Sequence, residues 1–255
     1  METDMGRVAV IGATGRVGRS TVDALRAAGR EVTEVARSTG VDVVTGAGLD
    51  DALHGVSVAI DVTNTPATDP ATAVEFFATA TSNLLAAELR AGVRHHVLLS
   101  IVGLDRAKGT GHYDGKRRQE QLVEAGTVPW TIQRATQFFD FAEMVVGWTT
   151  RDGVATVAPL LLQPVAIADV AAVLVEAAAG PPQGRAVDLA GPEPLDLVDM
   201  ARRTLTARRD PTRLRASWRD GPFSLAMAGE GLLPGPGVRL GLVTFDDWLA
   251  EQTSG

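Results

Sequence analysis

Two side chains that could transfer protons, His112 and Tyr113, lie next to each other at the start of a predicted helix. Lys116 follows on the same helix, four residues after the histidine and three after the tyrosine. Because residues three and four apart share one face of a helix, both side chains could lie above the lysine. An unperturbed histidine has a pKa of about 6.5, which suits an acid or base near neutral pH. The simpler interpretation is that His112 only lines a pocket, and the sequence leaves the two equally open.

Further polar side chains follow predicted strands that we expect to be parallel. A strand over about His96 to Leu99 is followed by Ser100, and a strand over Val58 to Thr63 leads into Asn64. The carboxyl ends of parallel strands meet at one edge of a sheet, where ligands usually bind. We therefore expect Ser100, Thr63 and Asn64 to lie at the same edge.

The alternation of strands and helices up to about residue 136 predicts the fold. It includes a short strand over Val41 to Val44, and a long helix that begins at Asp69 and Pro70 and ends at Gly92. This alternation is typical of an α/β protein with a Rossmann-type, doubly wound parallel sheet. We expect residues 1–136 to form this core. Residues 137–255 should form a smaller substrate-binding portion packed on it, with strands and helices that partly rejoin the core. In this portion we expect helices near Phe138 to Val146 and Ile167 to Ala179, and short strands near Val154 to Val157 and Arg185 to Leu189.

The first predicted strand leads directly into a glycine-rich turn and then into a helix. Because Gly12 and Gly15 have no side chain, the backbone could approach a pyrophosphate closely there. Gly18 would let the new helix pack closely on the strand that precedes it. Unpaired N–H groups and the positive dipole at the helix start would face that anion. This context favours nucleotide binding over an ordinary tight turn. The residues of this glycine turn are Gly12, Ala13, Thr14, Gly15, Arg16, Val17 and Gly18.

The tip of the second strand indicates which dinucleotide would bind. In this fold an acid at that tip holds the ribose 2′-OH, whereas an arginine accommodates a 2′-phosphate. Arg37 and Ser38 stand at the tip, and no acid does. We therefore expect NADP(H) as the cofactor, although an arginine elsewhere would be interpreted as a surface residue.

Composition and charge exclude several classes of protein. The 255 residues carry a net charge of −7, which argues against a nucleic-acid or anionic-membrane partner. Cysteine is absent, and the four histidines lack zinc-type spacing, so we expect no metal. His95 and His96 precede a buried strand and are expected to be structural. The sequence has neither a membrane-length apolar run nor signal-peptide features, so we expect a cytoplasmic protein. We expect its partner to be a small-molecule substrate, and the sequence leaves a homodimer open.

Several motifs, taken together in their order, resemble the atypical short-chain dehydrogenase/reductases. The group that this chain resembles most is the NmrA-like NAD(P)H-binding oxidoreductases of bacteria, and the resemblance covers nearly the whole chain. The motifs are the glycine turn, Ser100-Ile101-Val102-Gly103, Lys116 with Glu120, residues Pro129 to Phe138, Gln163-Pro164-Val165 with Asp169-Val170-Ala171, and Ala190-Gly191-Pro192-Glu193.

The resemblance implies an NADP(H)-binding domain and, in active members, a serine with a Tyr-x-x-x-Lys pair. There the lysine binds the nicotinamide ribose and lowers the tyrosine pKa, the tyrosine transfers the proton, and the serine orients the carbonyl. Ser100 and Lys116 match by position, but His112 occupies the position of the tyrosine. Arg134, Thr136 and Phe138 are placed to border the nicotinamide pocket, although packing at a helix start would equally explain Phe138.

Three functions fit these observations. The first is an NADPH-dependent reductase of a small carbonyl, quinone or enone, in which His112 or Tyr113 handles the proton. The second is a redox sensor or regulatory protein that binds the dinucleotide without turnover, which the missing tyrosine supports. The third is a redox-neutral isomerase, dehydratase or cyclase. We rank the third last because the glycine turn is intact.

Overall fold

The computed structural model describes residues 6–67, 69–106, 111–219, 223 and 225–253. The strands are β1 Arg7–Ile11, β2 Val32–Val35, β3 Val56–Asp61, β4 His95–Ile101, β5 Trp130–Ala135, β6 Val154–Val157, β7 Leu161–Leu162, β8 Gly184–Arg185, β9 Leu189–Ala190, β10 Leu195–Asp196, β11 Arg213–Ala216 and β12 Arg239–Leu240. The α-helices are α1 Arg16–Ala27, α2 Leu49–Leu53, α3 Pro70–Ala91, α4 Gly111–Ala125, α5 Phe141–Thr149, α6 Ile167–Ala179, α7 Leu197–Ala207 and α8 Phe245–Thr253. Two 3₁₀ segments cover Arg37–Thr39 and Leu225–Met227.

The main sheet is parallel and covered by helices on both faces. Its strand order is β2-β1-β3-β4-β5-β9-β12, and β8 also pairs with β5. Every pairing in this sheet is parallel. Helix α1 packs with α6, and α3 packs with α4. Alternate residues of β1 belong to different hydrophobic clusters, Val8 and Val10 with α1 and α6, Ala9 and Ile11 with α2 and α3. The predicted Rossmann-type, doubly wound fold is confirmed.

Helix α3 begins and ends as its sequence predicts. A side-chain oxygen of Asp69 accepts a hydrogen bond from the Thr72 N–H at 2.9 Å, and Pro70 occupies the first turn. At the other end Gly92 adopts a φ of +73°, a left-handed conformation that glycine tolerates best. This helix covers β3 and β4, the strands that carry Asp61 and Ser100.

Two of the predicted strands are wrong. Val41 to Val44 form no strand, and Val43 and Val44 lie in a turn, because the side chain of Asp42 accepts the Val44 N–H at 2.8 Å and competes with strand pairing. The strand expected over Arg185 to Leu189 is instead split into β8 and β9. Between them the carbonyl of Val187 accepts a hydrogen bond from Gln133 Nε2 at 2.9 Å, in place of a strand partner.

The part of the chain after residue 137 contributes both to the main sheet and to a second hydrophobic cluster. Strands β8, β9 and β12 extend the main sheet. Phe139, Leu197, Met200 and Phe245 are fully or almost fully buried in the second cluster, where α5, α7 and α8 meet. Among the described helices, none has the length and hydropathy needed to cross a membrane.

Candidate functional site

The glycine turn is built so closely that two of its positions require glycine. Gly12 has a φ of +85°, and a Cβ added there would lie 3.1 Å from the Val62 carbonyl oxygen. At Gly18 an added Cβ would lie 2.1 Å from the Gly12 carbonyl oxygen and 2.8 Å from Ala13 Cα. Both obstacles are backbone atoms, so a side chain at Gly18 would force the helix away from the turn.

The start of α1 is open to an anion. Gly15 is the N-cap residue and supplies no side-chain hydrogen bond, and the first turn contains no acidic residue. Thr14, Gly15 and Arg16 are exposed. The backbone N–H groups and the helix dipole therefore face the space beyond the carboxyl ends of β1 and β3, which we call the crevice. In a doubly wound sheet a dinucleotide pyrophosphate binds at such a place, so these residues fit that group.

Arg37 and Ser38 lie in the 3₁₀ segment after β2, beside the crevice. Both are exposed. The nearest acid in the chain before them, Glu34, pairs with Arg26 at 2.7 Å. No carboxylate of this strand therefore competes with Arg37 for a negatively charged ligand group.

Arg16 links the glycine turn to the second part of the chain. Its guanidinium pairs with the Asp140 carboxylate at the start of α5 and also contacts the Met144 sulfur. Burial raises the pKa of Asp140, and the nearby Arg16 opposes that shift. Sequence reasoning did not identify Asp140.

Lys116 is buried, with only 4% of its surface exposed. Its Nζ donates to Gln119 Oε1 at 2.6 Å and lies 5.1 Å from the centre of the Phe77 ring. Gln119 Nε2 in turn donates to Asp61 Oδ2 at 2.9 Å. Burial lowers the pKa of Lys116 to about 8, although Asp61 and Glu120 oppose that shift.

Thr63 connects this buried group to the glycine turn. Its N–H donates to Asp61 Oδ1 at 2.8 Å, and its Oγ1 accepts from Gln119 Nε2 at 3.3 Å. A Cβ at Gly12 would lie 3.3 Å from Thr63 Cα. Asn64, the next residue, is exposed. The structure therefore brings Thr63, Lys116 and the glycine turn together at one edge of the sheet.

His112 and Tyr113 point to different surroundings. The His112 ring lies 5.8 Å from the Phe77 ring of α3, and burial together with Lys116 lowers its pKa to about 4. The Tyr113 hydroxyl accepts a hydrogen bond from Gln137 Nε2 at 3.2 Å, and its ring packs against the second hydrophobic cluster. Burial raises the pKa of Tyr113, and Gln137 opposes that shift. At neutral pH His112 is therefore uncharged, and Tyr113 retains its proton.

Ser100 lies at the carboxyl end of β4 and faces Glu120. Burial opposes ionisation of Glu120, but hydrogen bonding to Arg134 and to Ser100 outweighs it and lowers the pKa of this carboxyl. The Ser100 Oγ is buried beside this carboxylate.

The three residues predicted to border the pocket are held by protein contacts. Arg134 pairs with Glu120 at 2.6 Å and with Asp105 at 2.9 Å. Thr136 Oγ1 donates to the Gln163 carbonyl at 2.6 Å. Phe138 packs against the cluster between α1 and α6. Their role toward a substrate stays a prediction.

The two neighbouring histidines lie inside the core. His95 Nε2 is 2.8 Å from Thr131 Oγ1, and His96 Nδ1 is 2.8 Å from a carboxylate oxygen of Glu88. Both histidines are buried. Within the described ranges no group of three or more His, Cys, Asp or Glu side chains could hold a metal ion.

Besides Asp140, sequence reasoning missed three residues of the site, Asp61, Gln119 and Gln137. Asp61 had a visible signal, because it is an acid inside the otherwise apolar run from Val58 to Val62. Gln119 and Gln137 gave no such signal in the sequence, since their role depends on the partners that tertiary packing brings to them.

Comparisons with known proteins identify the family of the chain and its fold. A family model described as NAD(P)H-binding matches residues 12–181. No curated protein matches the chain in sequence. A short-chain dehydrogenase/reductase superfamily protein from Agrobacterium tumefaciens with bound NAD is 20% identical, with a TM-score of 0.70 over 97% of this chain and 96% of that one.

Two further solved structures have the same fold. TunA, described as an NAD-dependent NDP-hexosamine 5,6-dehydratase of tunicamycin biosynthesis, is 15% identical, with a TM-score of 0.72 over 98% of this chain and 97% of that one. The NADPH-dependent quinone oxidoreductase QOR2 from Escherichia coli is 17% identical, with a TM-score of 0.66 over 96% of this chain and 99% of that one. At these identities the likeness shows the fold alone. The family model matches more than half of the residues of this chain, and the chain therefore belongs to the NAD(P)H-binding family.

Proposed function

We propose that the protein is an NADPH-dependent oxidoreductase that reduces a small carbonyl, quinone or enone. One observation carries the proposal: the open start of α1 and the buried Lys116 meet at the same edge of the sheet, joined through Thr63. A phosphate-binding helix start and a proton-handling group are the two parts that such a reaction needs from the protein.

The dinucleotide would be held by the crevice. Its pyrophosphate would lie at the N–H groups of the glycine turn, whose close packing at Gly18 leaves no room for a side chain. Thr63, Asn64 and Lys116 would hold the ribose and nicotinamide end. When bound, NADPH supplies the hydride that adds to the substrate carbon while the substrate oxygen takes a proton from the protein, leaving NADP⁺.

Arg37 and Ser38 support the preference for NADPH. Both are exposed at the tip of β2, where a guanidinium can pair with a 2′-phosphate. The A. tumefaciens neighbour is described with bound NAD, so cofactor choice is a feature in which this chain would differ. We expect Arg37→Ala to weaken NADPH binding at least tenfold and to leave NADH binding nearly unchanged.

Two groups could deliver the proton to the substrate oxygen. Tyr113 receives a hydrogen bond from Gln137, so its own O–H proton is free to point at a ligand. His112 shares the Phe77 environment with Lys116 and is neutral at pH 7, so it would donate an N–H hydrogen bond to the oxygen and could deliver a proton only after first taking one up. The Ser100 hydroxyl, which lies beside Glu120, would orient the same substrate oxygen.

Turnover measurements test this proposal. NADPH oxidation should be followed with a panel of quinones, enones and small aldehydes, where the quinones are suggested by the description of the E. coli neighbour. We expect Tyr113→Phe or His112→Phe to lower kcat about 10²-fold or more while NADPH affinity stays near that of the wild type. If both variants turn over at the wild-type rate, these residues do not carry the proton.

A second candidate is an NmrA-like redox sensor that binds the dinucleotide without turnover. The observation that favours it is His112 at the position of the family's tyrosine, with a pKa near 4. A sensor would bind NADP(H) tightly and consume none of it with any substrate of the panel. A redox-neutral isomerase, dehydratase or cyclase would convert its substrate with no net change in NADPH absorbance.

A further inference from the structure

Lys116 has an unusual position for an ammonium group. The chain has two lysines, Lys108 and Lys116, and the second is buried against Phe77 between α3 and α4. A buried ammonium is costly unless a negative charge and hydrogen-bond acceptors compensate it. The groups that supply this negative charge and these acceptors therefore determine where the Lys116 ammonium lies.

The nearest partner of Lys116 is an amide whose orientation is fixed. Gln119 Oε1 accepts from Lys116 Nζ at 2.6 Å, while Gln119 Nε2 donates to Asp61 Oδ2 at 2.9 Å. Exchanging the amide oxygen and nitrogen would place a donor against the ammonium and an acceptor against the carboxylate, so the contacts allow one orientation. Gln119 is fully buried and Asp61 is 1% exposed, which leaves little water to screen their charges.

Among the described residues, the other acids around Lys116 are already paired, and His112 beside it is uncharged at neutral pH. On α3 and β4, Glu88 and His96 form a buried pair at 2.8 Å. On α4, Glu120 pairs with Arg134 of β5 at 2.6 Å and with Arg185 of β8 at 3.0 Å. Asp61 on β3 has no arginine partner among the described ion pairs, and its contacts lead through Gln119 to Lys116.

We propose that Asp61, acting through Gln119, is the counter-ion and positioning residue of Lys116, and that it holds the ammonium at the crevice beside Thr63. The role of Lys116 in this arrangement rests on the proposed function. The other oxygen of Asp61 accepts the Thr63 N–H at 2.8 Å, so one carboxylate fixes both the lysine and the backbone of the loop that follows β3. The position of the lysine is thereby tied to the cofactor side of the sheet.

Direct measurement of the lysine titration tests this inference without any activity. With ¹³C-labelled lysine, two lysine Cε signals are expected, and Lys116→Met identifies one by its loss. We expect Asp61→Asn and Gln119→Met to lower the pKa of Lys116 by about one unit, a tenfold change in its protonation equilibrium, because the ammonium loses its counter-ion or the amide that joins them. Asp23→Asn, an exposed acid on α1, is the matched control and should cause no shift.

A second variant keeps the test decisive if Asp61→Asn does not fold. Gln119→Met leaves the Asp61 carboxylate in place and removes only the amide that joins it to the ammonium, so on its own it should still lower the pKa of Lys116. Unchanged Lys116 titration in all the variants that fold would overturn the inference and leave Asp61 and Gln119 with a packing role only. A separate NADPH titration of the wild type decides the proposed function, since the lysine titration is measured on the protein without cofactor.

Discussion

At the scale of single residues, the glycine turn shows how backbone distances determine which amino acid is possible. Gly18 and Gly147 both lie in α-helices, but their surroundings differ completely. An added Cβ at Gly18 meets backbone atoms at 2.1 and 2.8 Å, whereas one at Gly147 meets nothing within 4 Å. Ordinary helix propensity should therefore decide the effect of a substitution at Gly147, and steric exclusion the effect at Gly18.

We expect Gly18→Ala to destabilise the protein by roughly 2 kcal/mol or more and to abolish dinucleotide binding, because the turn and the start of α1 must separate. Gly147→Ala should be neutral or stabilising by up to about 1 kcal/mol, since alanine favours a helix more than glycine does. Urea denaturation of both variants provides the measurement. Equal stability of the two variants would contradict the steric account of Gly18.

At the scale of elements, the packing of α3 on α4 places His112 and Lys116. A Cβ at Gly115 would lie 2.5 Å from Phe77 Cδ2 and 3.0 Å from the Ala73 carbonyl oxygen, so the two helices approach closely at this point. The Phe77 ring also contacts His112 and Lys116. The spacing of these helices therefore controls where both side chains lie.

Gly115→Ala should destabilise the protein by about 1–3 kcal/mol, because the added methyl overpacks the contact between the helices. Adding Phe77→Leu makes room for the methyl, and the double variant should lose less stability than the two single changes sum to. A double-mutant cycle from urea denaturation measures this coupling. Strictly additive losses would show that Gly115 and Phe77 do not constrain each other.

The elements also show how far the sequence alone leads. Hydrophobic runs and helix caps predicted β1, α1, α3, β6 and α6 well, because local signals determine them. The strand expected at Val41 to Val44 failed since the Asp42 side chain binds the backbone there. The partners of Gln119, Gln137 and Asp140 were beyond prediction because each pairs with residues distant in sequence.

At the scale of the whole molecule, an ion pair joins helix α1 to the start of α5, in the part of the chain after residue 137. Arg16 of α1 pairs with Asp140 at the start of α5, and the Asp140 side chain is only 15% exposed. Burial raises the pKa of Asp140, and the arginine charge beside it favours the ionised carboxylate. The contact joins the glycine turn to the part of the chain that we expect to bind substrate.

We expect Arg16→Met to cost about 1–3 kcal/mol of stability at pH 7, because it leaves the Asp140 carboxylate buried without a partner. Without the arginine, the pKa of Asp140 in the folded state lies further above its unfolded value. The loss of folding stability should therefore be complete at neutral pH. It should shrink as the pH falls through the raised pKa of Asp140, because the carboxyl then becomes neutral. The double variant Arg16→Met with Asp140→Asn should recover part of the loss at pH 7. A loss that is independent of pH would contradict this explanation.

The central claim is that the crevice binds NADP(H), and a titration followed by tryptophan fluorescence tests it most directly. The chain has four tryptophans as reporters. We expect saturable binding of NADPH, binding of NADH at least tenfold weaker, and no binding of either by Gly18→Ala under conditions in which that variant is folded. Absence of binding by the wild type to both dinucleotides would contradict the account, and would leave the glycine turn as a structural feature of the fold only.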